Sequence, residues 1–89
     1  MKSVITVVGK DREGILAMIS AECAQAHMNI LDVSQTIVDG IFTMTMITDC
    51  DHLEGSLAAF AEHMEKVGKE NSLIIRVMNQ DIFKAMHSI

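Results

Sequence analysis

Apolar residues crowd the start of the chain: Val4, Ile5, Val7 and Val8 surround a single Thr6. A strand apolar on both faces suits the middle of a covered sheet, so the pattern predicts a central strand over residues 2–8. After a polar stretch the spacing becomes helical over about residues 12–27, where Ile15, Ile19, Cys23 and Ala26, flanked by Leu16 and Met18, form one stripe. Residues 30–38 alternate, with Leu31, Val33 and Ile37 on one face and Asp32, Ser34 and Thr36 on the other, as in a half-covered strand. Asp39 and Gly40 both tolerate positive φ and predict a tight hairpin. It leads into a strand over residues 41–48, where Phe42, Met44 and Met46 alternate with Thr43 and Thr45. A second helix over about residues 53–69 turns Leu57, Phe60, Ala61 and Met64 inward. A last strand over residues 72–78 sets Leu73, Ile75 and Val77 against Ile74, Arg76 and Met78. An amphipathic turn or two over residues 81–89 then presents Ile82, Phe83, Met86 and Ile89. Proline is absent, so Gly, Asn and Asp must set the helix ends, with Asp11, Asp51 and Asp81 as the expected N-caps.

The resulting order, βαββαβ plus a C-terminal helix, is the ferredoxin-like α+β plan. It implies one domain over residues 1–89, with two helices on one face of a four-stranded antiparallel sheet. The other face would carry Val4, Val8, Ile74 and Met78 beside Ser34, Thr36, Thr43 and Thr45. A solvated face should be mostly polar and this one is mixed, so the apolar side of the tail helix is expected there, on its own subunit or on a neighbour.

Composition narrows the partners. Of the 89 residues 49% are apolar, a surplus for so small a core, and a homodimer is the natural way to cover it. The net charge of −5 argues against nucleic acid, which needs a basic face, and three Phe without Tyr or Trp make no base-stacking platform. No apolar run approaches the ~20 residues of a membrane span, and no charged segment followed by an apolar one suggests a signal peptide. The expected location is cytoplasmic, with Cys23 and Cys50 reduced.

The chemistry gathers in the segment from Gly9 to Ile15. Asp11 is expected to cap the first helix, Gly14 to lie inside its first turn, and Asn29 to open the next strand. Free backbone N–H groups, a gap without a side chain and a polar amide would then lie near one another, as in a pocket for a small anionic or zwitterionic ligand. Gly14 is explained equally by ligand space or by close packing, and Asn29 by a ligand contact or by a turn. Lys10 and Arg12 are expected in solvent. Two groups hint at metal, Cys23 with His27 and Asp49-Cys50-Asp51-His52, but neither completes a tetrahedral donor set of recognised spacing, so no metal or cofactor is expected. Cys23 reads instead as a small core residue, and His63 and His87 as surface residues. There is no nucleophile–base pair or carboxylate pair suited to general acid–base work, so the chain is not expected to be an enzyme.

On these residues the chain resembles the ACT domains, small regulatory modules of amino-acid metabolism. The likeness rests on Val7 to Ile15, on Asn29 and Ile30 at the start of the second strand, and on the order of elements. It extends to free-standing bacterial and archaeal members through the hairpin from Asp39 to Met44 and the tail from Asp81 to His87. The resemblance implies an allosteric sensor with an amino acid or related metabolite bound at a homodimer interface, its contacts falling here on Asp11, Gly14, Ile15, Asn29, Ile30 and Leu31. One position departs: the family often has proline before the glycine, where this chain has Glu13, a carboxylate that would repel a ligand carboxylate unless it points away. The alternative is an interaction subunit that binds no ligand and docks on a partner enzyme or transcription regulator.

Overall fold

The structure, a computed structural model, describes residues 1–86. Its elements are β1 (Lys2–Lys10), α1 (Ile15–Gln25), β2 (Asn29–Val38), β3 (Ile41–Asp49), α2 (Leu57–Glu70), β4 (Leu73–Asn79) and α3 (Gln80–Met86). The strands form one antiparallel sheet in the order β2-β3-β1-β4, so the expected ferredoxin-like architecture is present. Of the tail expectations, His87 and Ile89 lie outside the described residues.

The core fills the space between the sheet and α1 and α2. Ile5 and Val7 of β1, Met44 and Met46 of β3, and Ile75 of β4 meet Ile15, Ile19 and Cys23 from α1 and Phe60 and Met64 from α2. The buried hydroxyls of Ser3 and Thr48 satisfy each other at 2.5 Å. The hairpin between β2 and β3 turns at Asp39 and Gly40, with φ of 53° and 78°, which is the conformation their sequence favours.

All three aspartate caps are replaced. The N-cap of α1 is Gly14, in the left-handed region at φ 89°, and Asp11 lies earlier in the loop, its amide donating to the Gly40 carbonyl at 2.9 Å. Gly14 is therefore outside the helix, and α1 begins at Ile15, three residues later than expected. For α2 the cap is Ser56, whose hydroxyl accepts from the Ala59 amide at 3.0 Å. Asp51 instead binds the N-terminal ammonium of Met1 at 2.7 Å. At α3 the acceptor is Asn79, whose side chain receives the Asp81 amide at 2.7 Å. At α2 and α3 the short polar acceptor next to the first helical residue takes the role, while α1 starts from a glycine with no capping side chain.

The end of α1 also differs. His27 adopts φ 62°, its amide reaches the Ala24 carbonyl at 3.1 Å, and the Met28 amide reaches that of Cys23 at 2.9 Å. This is a Schellman turn with the apolar pair Cys23 and Met28 beneath it. The turn residue is thus His27, and Asn29 is already strand, paired with Asp49.

One irregularity displaces Leu31 from the face expected for it in β2, while Val33 and Ile37 keep theirs opposite Asp32, Ser34 and Thr36. Ile30 pairs with Thr48 and Asp32 with Ile47, leaving Leu31 as the extra residue of a bulge. Ile30 and Val33 pack on the core, three residues apart, and Leu31 is 45% exposed.

Helix α2 lies very close to β4. A Cβ at Gly68 would stand 2.6 Å from the Leu73 carbonyl oxygen, which is backbone and cannot swing away. At Gly9 the nearest atom, at 2.5 Å, is the end of the flexible Leu73 side chain. Gly68→Ala is expected to cost a net ~0–2 kcal/mol, overpacking of ~1–3 less the ~1 that alanine gains in a helix. Urea unfolding checks this, and Gly9→Ala should cost less.

On the side away from α1 and α2, cross-strand rows run Thr36–Thr43–Val8–Ile74, then Ser34–Thr45–Thr6–Arg76, then Asp32–Ile47–Val4–Met78. Val4 is 2% exposed although it stands outside the main core cluster. The cover is α3, which contacts β1 and β4 and has Phe83 half-buried. The tail helix therefore packs on its own sheet, as one of the two expected alternatives had it, and only at the Val4–Met78 end. At the other end Val8 and Ile74 are exposed.

Candidate functional site

The loop between β1 and α1 is held by two clamps. The Asp11 amide fastens it to the β2–β3 hairpin through Gly40. Arg12 fastens it to the end of α2, donating from Nη1 to the Asn71 carbonyl at 2.8 Å and from Nη2 to Asn71 Oδ1 at 3.5 Å. Arg12 is thus a strut as well as a surface cation. Asn71 is held in turn by its Nδ2, which donates to the Val67 carbonyl at 2.8 Å. Sequence reasoning placed Gly40 in the hairpin but not against Asp11, and did not find Asn71. Asn71 directly after a helix was a legible end signal, but its link to Arg12, 59 residues away, was not.

At Gly14 the backbone is open. No side chain caps α1, its first turn has no acidic residue, and a Cβ at Gly14 would meet nothing within 4 Å. The leading amides of a helix have no partner inside it, so this turn presents N–H donors and the positive end of the helix dipole. The side chain of Ile15 is buried at 2% exposure and belongs to the core, which leaves its amide as the group facing the turn.

The six residues expected to share one pocket form two groups at opposite ends of the sheet. The loop group, Asp11, Gly14 and Ile15, stands at the end where Lys10 pairs with Ile41. Asn29, Ile30 and Leu31 begin β2 at the other end, where Asn29 and Lys2 both pair with Asp49. Between them runs α1, whose 11 residues span about 16 Å at ~1.5 Å each. The expected proximity of Gly14 and Asn29 thus does not hold within one chain, because the helix that joins them also separates them. An open concavity of about 530 Å³ along α2, lined by Ala59, Glu62, His63, Glu65, Lys66 and Lys69, contains none of the six.

The two metal-like groups are also taken apart. The Cys23 sulfur lies in the core, 3.9 Å from that of Met46, while His27 turns outward to Glu54 at 3.2 Å. Cys50 is buried, Asp51 holds the N-terminus, and Asp49 accepts the Asp51 amide at 2.8 Å. The Asp51 carboxylate raises the N-terminal ammonium above its ordinary range, and the ammonium lowers Asp51. His63, an exposed residue as expected, links the helices through Glu22 at 2.8 Å.

Burial, aided by the neighbouring Cys50, pushes the Cys23 thiol from 9.0 up to about 11. A folded-state value raised in this way lends stability that is full below pH 9 and is lost as the pH rises towards 11. The urea midpoint is expected to fall across that window, and to fall less in Cys23→Ala. An equal fall in both proteins would assign it to other groups.

Comparison with known proteins gives a consistent set of likenesses. Residues 3–78 match the ACT domain family. The UPF0237 protein of Clostridium perfringens is 44% identical over 89 residues, spanning 100% of both chains. The solved ACT domain protein from Streptococcus pneumoniae matches with a TM-score of 0.82 at 36% identity, over 94% of each chain. A putative glycine cleavage system transcriptional repressor matches with a TM-score of 0.70 at 29% identity, over 86% of this chain and 44% of that one.

Proposed function

The chain belongs to the ACT domain family, whose members are regulatory small-molecule-binding modules, and on that premise we propose that it binds an amino acid between two copies of itself in the cytoplasm. The observation that carries this reading is the separation of the two residue groups. Each chain has the donor turn at Gly14 and, a helix length away, the amide of Asn29. The strand β2 is an edge of the sheet, ten residues long, and starts at Asn29. A two-fold axis beside its midpoint sets two such edges antiparallel. The Asn29 end of one copy then lies against the hairpin end of the other, where the loop from Asp11 to Gly14 is fastened. Each of the two sites so formed draws one group from each chain.

In such a site the ligand carboxylate would accept hydrogen bonds from the first amides of α1, and Asn29 of the second copy would meet the ammonium or carboxylate. The role is regulatory rather than enzymatic: ligand binds one form of the dimer and shifts its population. Thermal unfolding with each of the twenty amino acids, paired with light scattering, tests this. A ligand at 100 times its Kd adds ~2.7 kcal/mol, a rise of roughly 10–20 °C for a domain of this size. A monomer with no response to any amino acid would reject the site.

A second reading, a subunit that docks on a partner protein without a ligand, is favoured by one observation. Val8, Ile74, Val38 and Ile41 all remain exposed at one end of the outer sheet face.

A further inference from the structure

We propose that the outer sheet face is a second interface between copies of this chain, in which the α3 of each copy covers the half of the face that the other copy's own α3 leaves bare. The division of the face points to this occupant. Helix α3 covers the Val4–Met78 end, while at the far end Val8 and Ile74 are 36% and 58% exposed. The helix itself is covered on one side only. Phe83 is half-buried, while Ile82 and Met86, one turn apart, are 57% and 65% exposed. A bare apolar half-face and a bare apolar helix stripe on one molecule fit each other under a two-fold axis. That axis crosses the middle row, at Thr6 and Arg76, and exchanges the Val4 row with the Val8 row.

Charge permits the approach. The three cross-strand rows hold one arginine, Arg76, and one aspartate, Asp32, and so sum to zero in a chain of net charge −5. The two Arg76 side chains near the axis extend into the gap between sheets that helices ~10 Å across hold apart. The area also suffices. Four strands ~4.8 Å apart and nine residues of ~3.3 Å give a footprint of about 600 Å², part of it bare sheet and part the outer side of α3. Two such faces bury about 1,200 Å², the lower bound of a stable specific interface. The face is separate from the β2 edge, so it does not depend on the ligand reading.

Sedimentation at micromolar concentration of the wild type, Ile74→Glu and Ile82→Lys tests the proposal. The wild type is expected to hold twice as many copies as either variant. Both positions are exposed in the single chain, so the circular dichroism spectrum should not change. An equimolar mixture of the two variants should recover the wild-type mass, because the introduced carboxylate and ammonium then face each other. Equal masses for the wild type and both variants would overturn the proposal, as would a monomeric wild type. If the mass falls in Gln35→Pro, at the middle of β2, and not in Ile74→Glu, the copies meet at the β2 edge alone. That result rejects the face and leaves the ligand site standing. A lost amino-acid response with the face contact intact would do the reverse.

Discussion

Truncation after Asn79 is expected to lower the midpoint of thermal unfolding by roughly 6–24 °C. The removed α3 is the cover over Val4, which is 2% exposed although it lies on the face away from the main core. Burying one such side chain is worth ~1.5–3 kcal/mol, and each kcal/mol moves the midpoint of a domain this small by ~4–8 °C. Val4 is the buried residue of its row, whereas its neighbours Ile47 and Met78 are already part-exposed. Most of the loss is therefore assigned to one residue, and Val4→Thr in the full chain should reproduce part of it. Scanning calorimetry of the three proteins decides. An unchanged midpoint on truncation would mean that α3 contributes nothing to the fold.

Gly14→Val is expected to abolish the response to whichever amino acid raises the melting temperature of the wild type. Gly14 has φ 89° and nothing within 4 Å of its would-be Cβ, so the substitution meets no clash in the chain itself. A β-branched residue held at such an angle costs ~1–3 kcal/mol, which lowers stability before any ligand is added. The side chain also enters the space over the leading amides of α1. Gly14→Asn separates the two effects. Asparagine tolerates positive φ and is a good N-cap, so its stability should match the wild type while its side chain competes for the same amides. In calorimetric titration, Asn29→Ala should weaken binding, and Glu13→Gln should strengthen binding of an anionic ligand by removing a like charge. Unchanged affinity in both Gly14→Val and Asn29→Ala would place the pocket elsewhere.

The sheet was legible because strand alternation and the Asp39–Gly40 turn are local signals, and the inward faces of β1, β3 and β4 emerged as read. What failed was local chemistry decided from a distance. Asp11 and Asp51 are good cap residues by type, but Gly40 fixes the Asp11 amide and the N-terminus engages the Asp51 carboxylate. The caps fell to Gly14 and Ser56, next to where each helix starts. The bulge at Leu31 is set by pairing with β3, and nothing in the alternation of residues 30–38 announces it. For the site, the resemblance picked out a coherent loop, but the placement of Asn29 beside Gly14 ignored a length that the sequence already contained: a helix read over residues 12–27 must hold its two ends well apart.

The uncapped first turn of α1 gives the candidate site its own reporter. The amides of Ile15, Leu16 and Ala17 have no partner within the helix and no capping side chain. In hydrogen–deuterium exchange such groups are labelled early, since no bond has to open first. The amide of Met18, bonded to the Gly14 carbonyl at 2.9 Å, is the internal reference one residue along. Occupancy of the turn by a carboxylate would be read as slower labelling of the first three amides relative to the fourth, in a chain that has no tryptophan or tyrosine to signal binding by fluorescence.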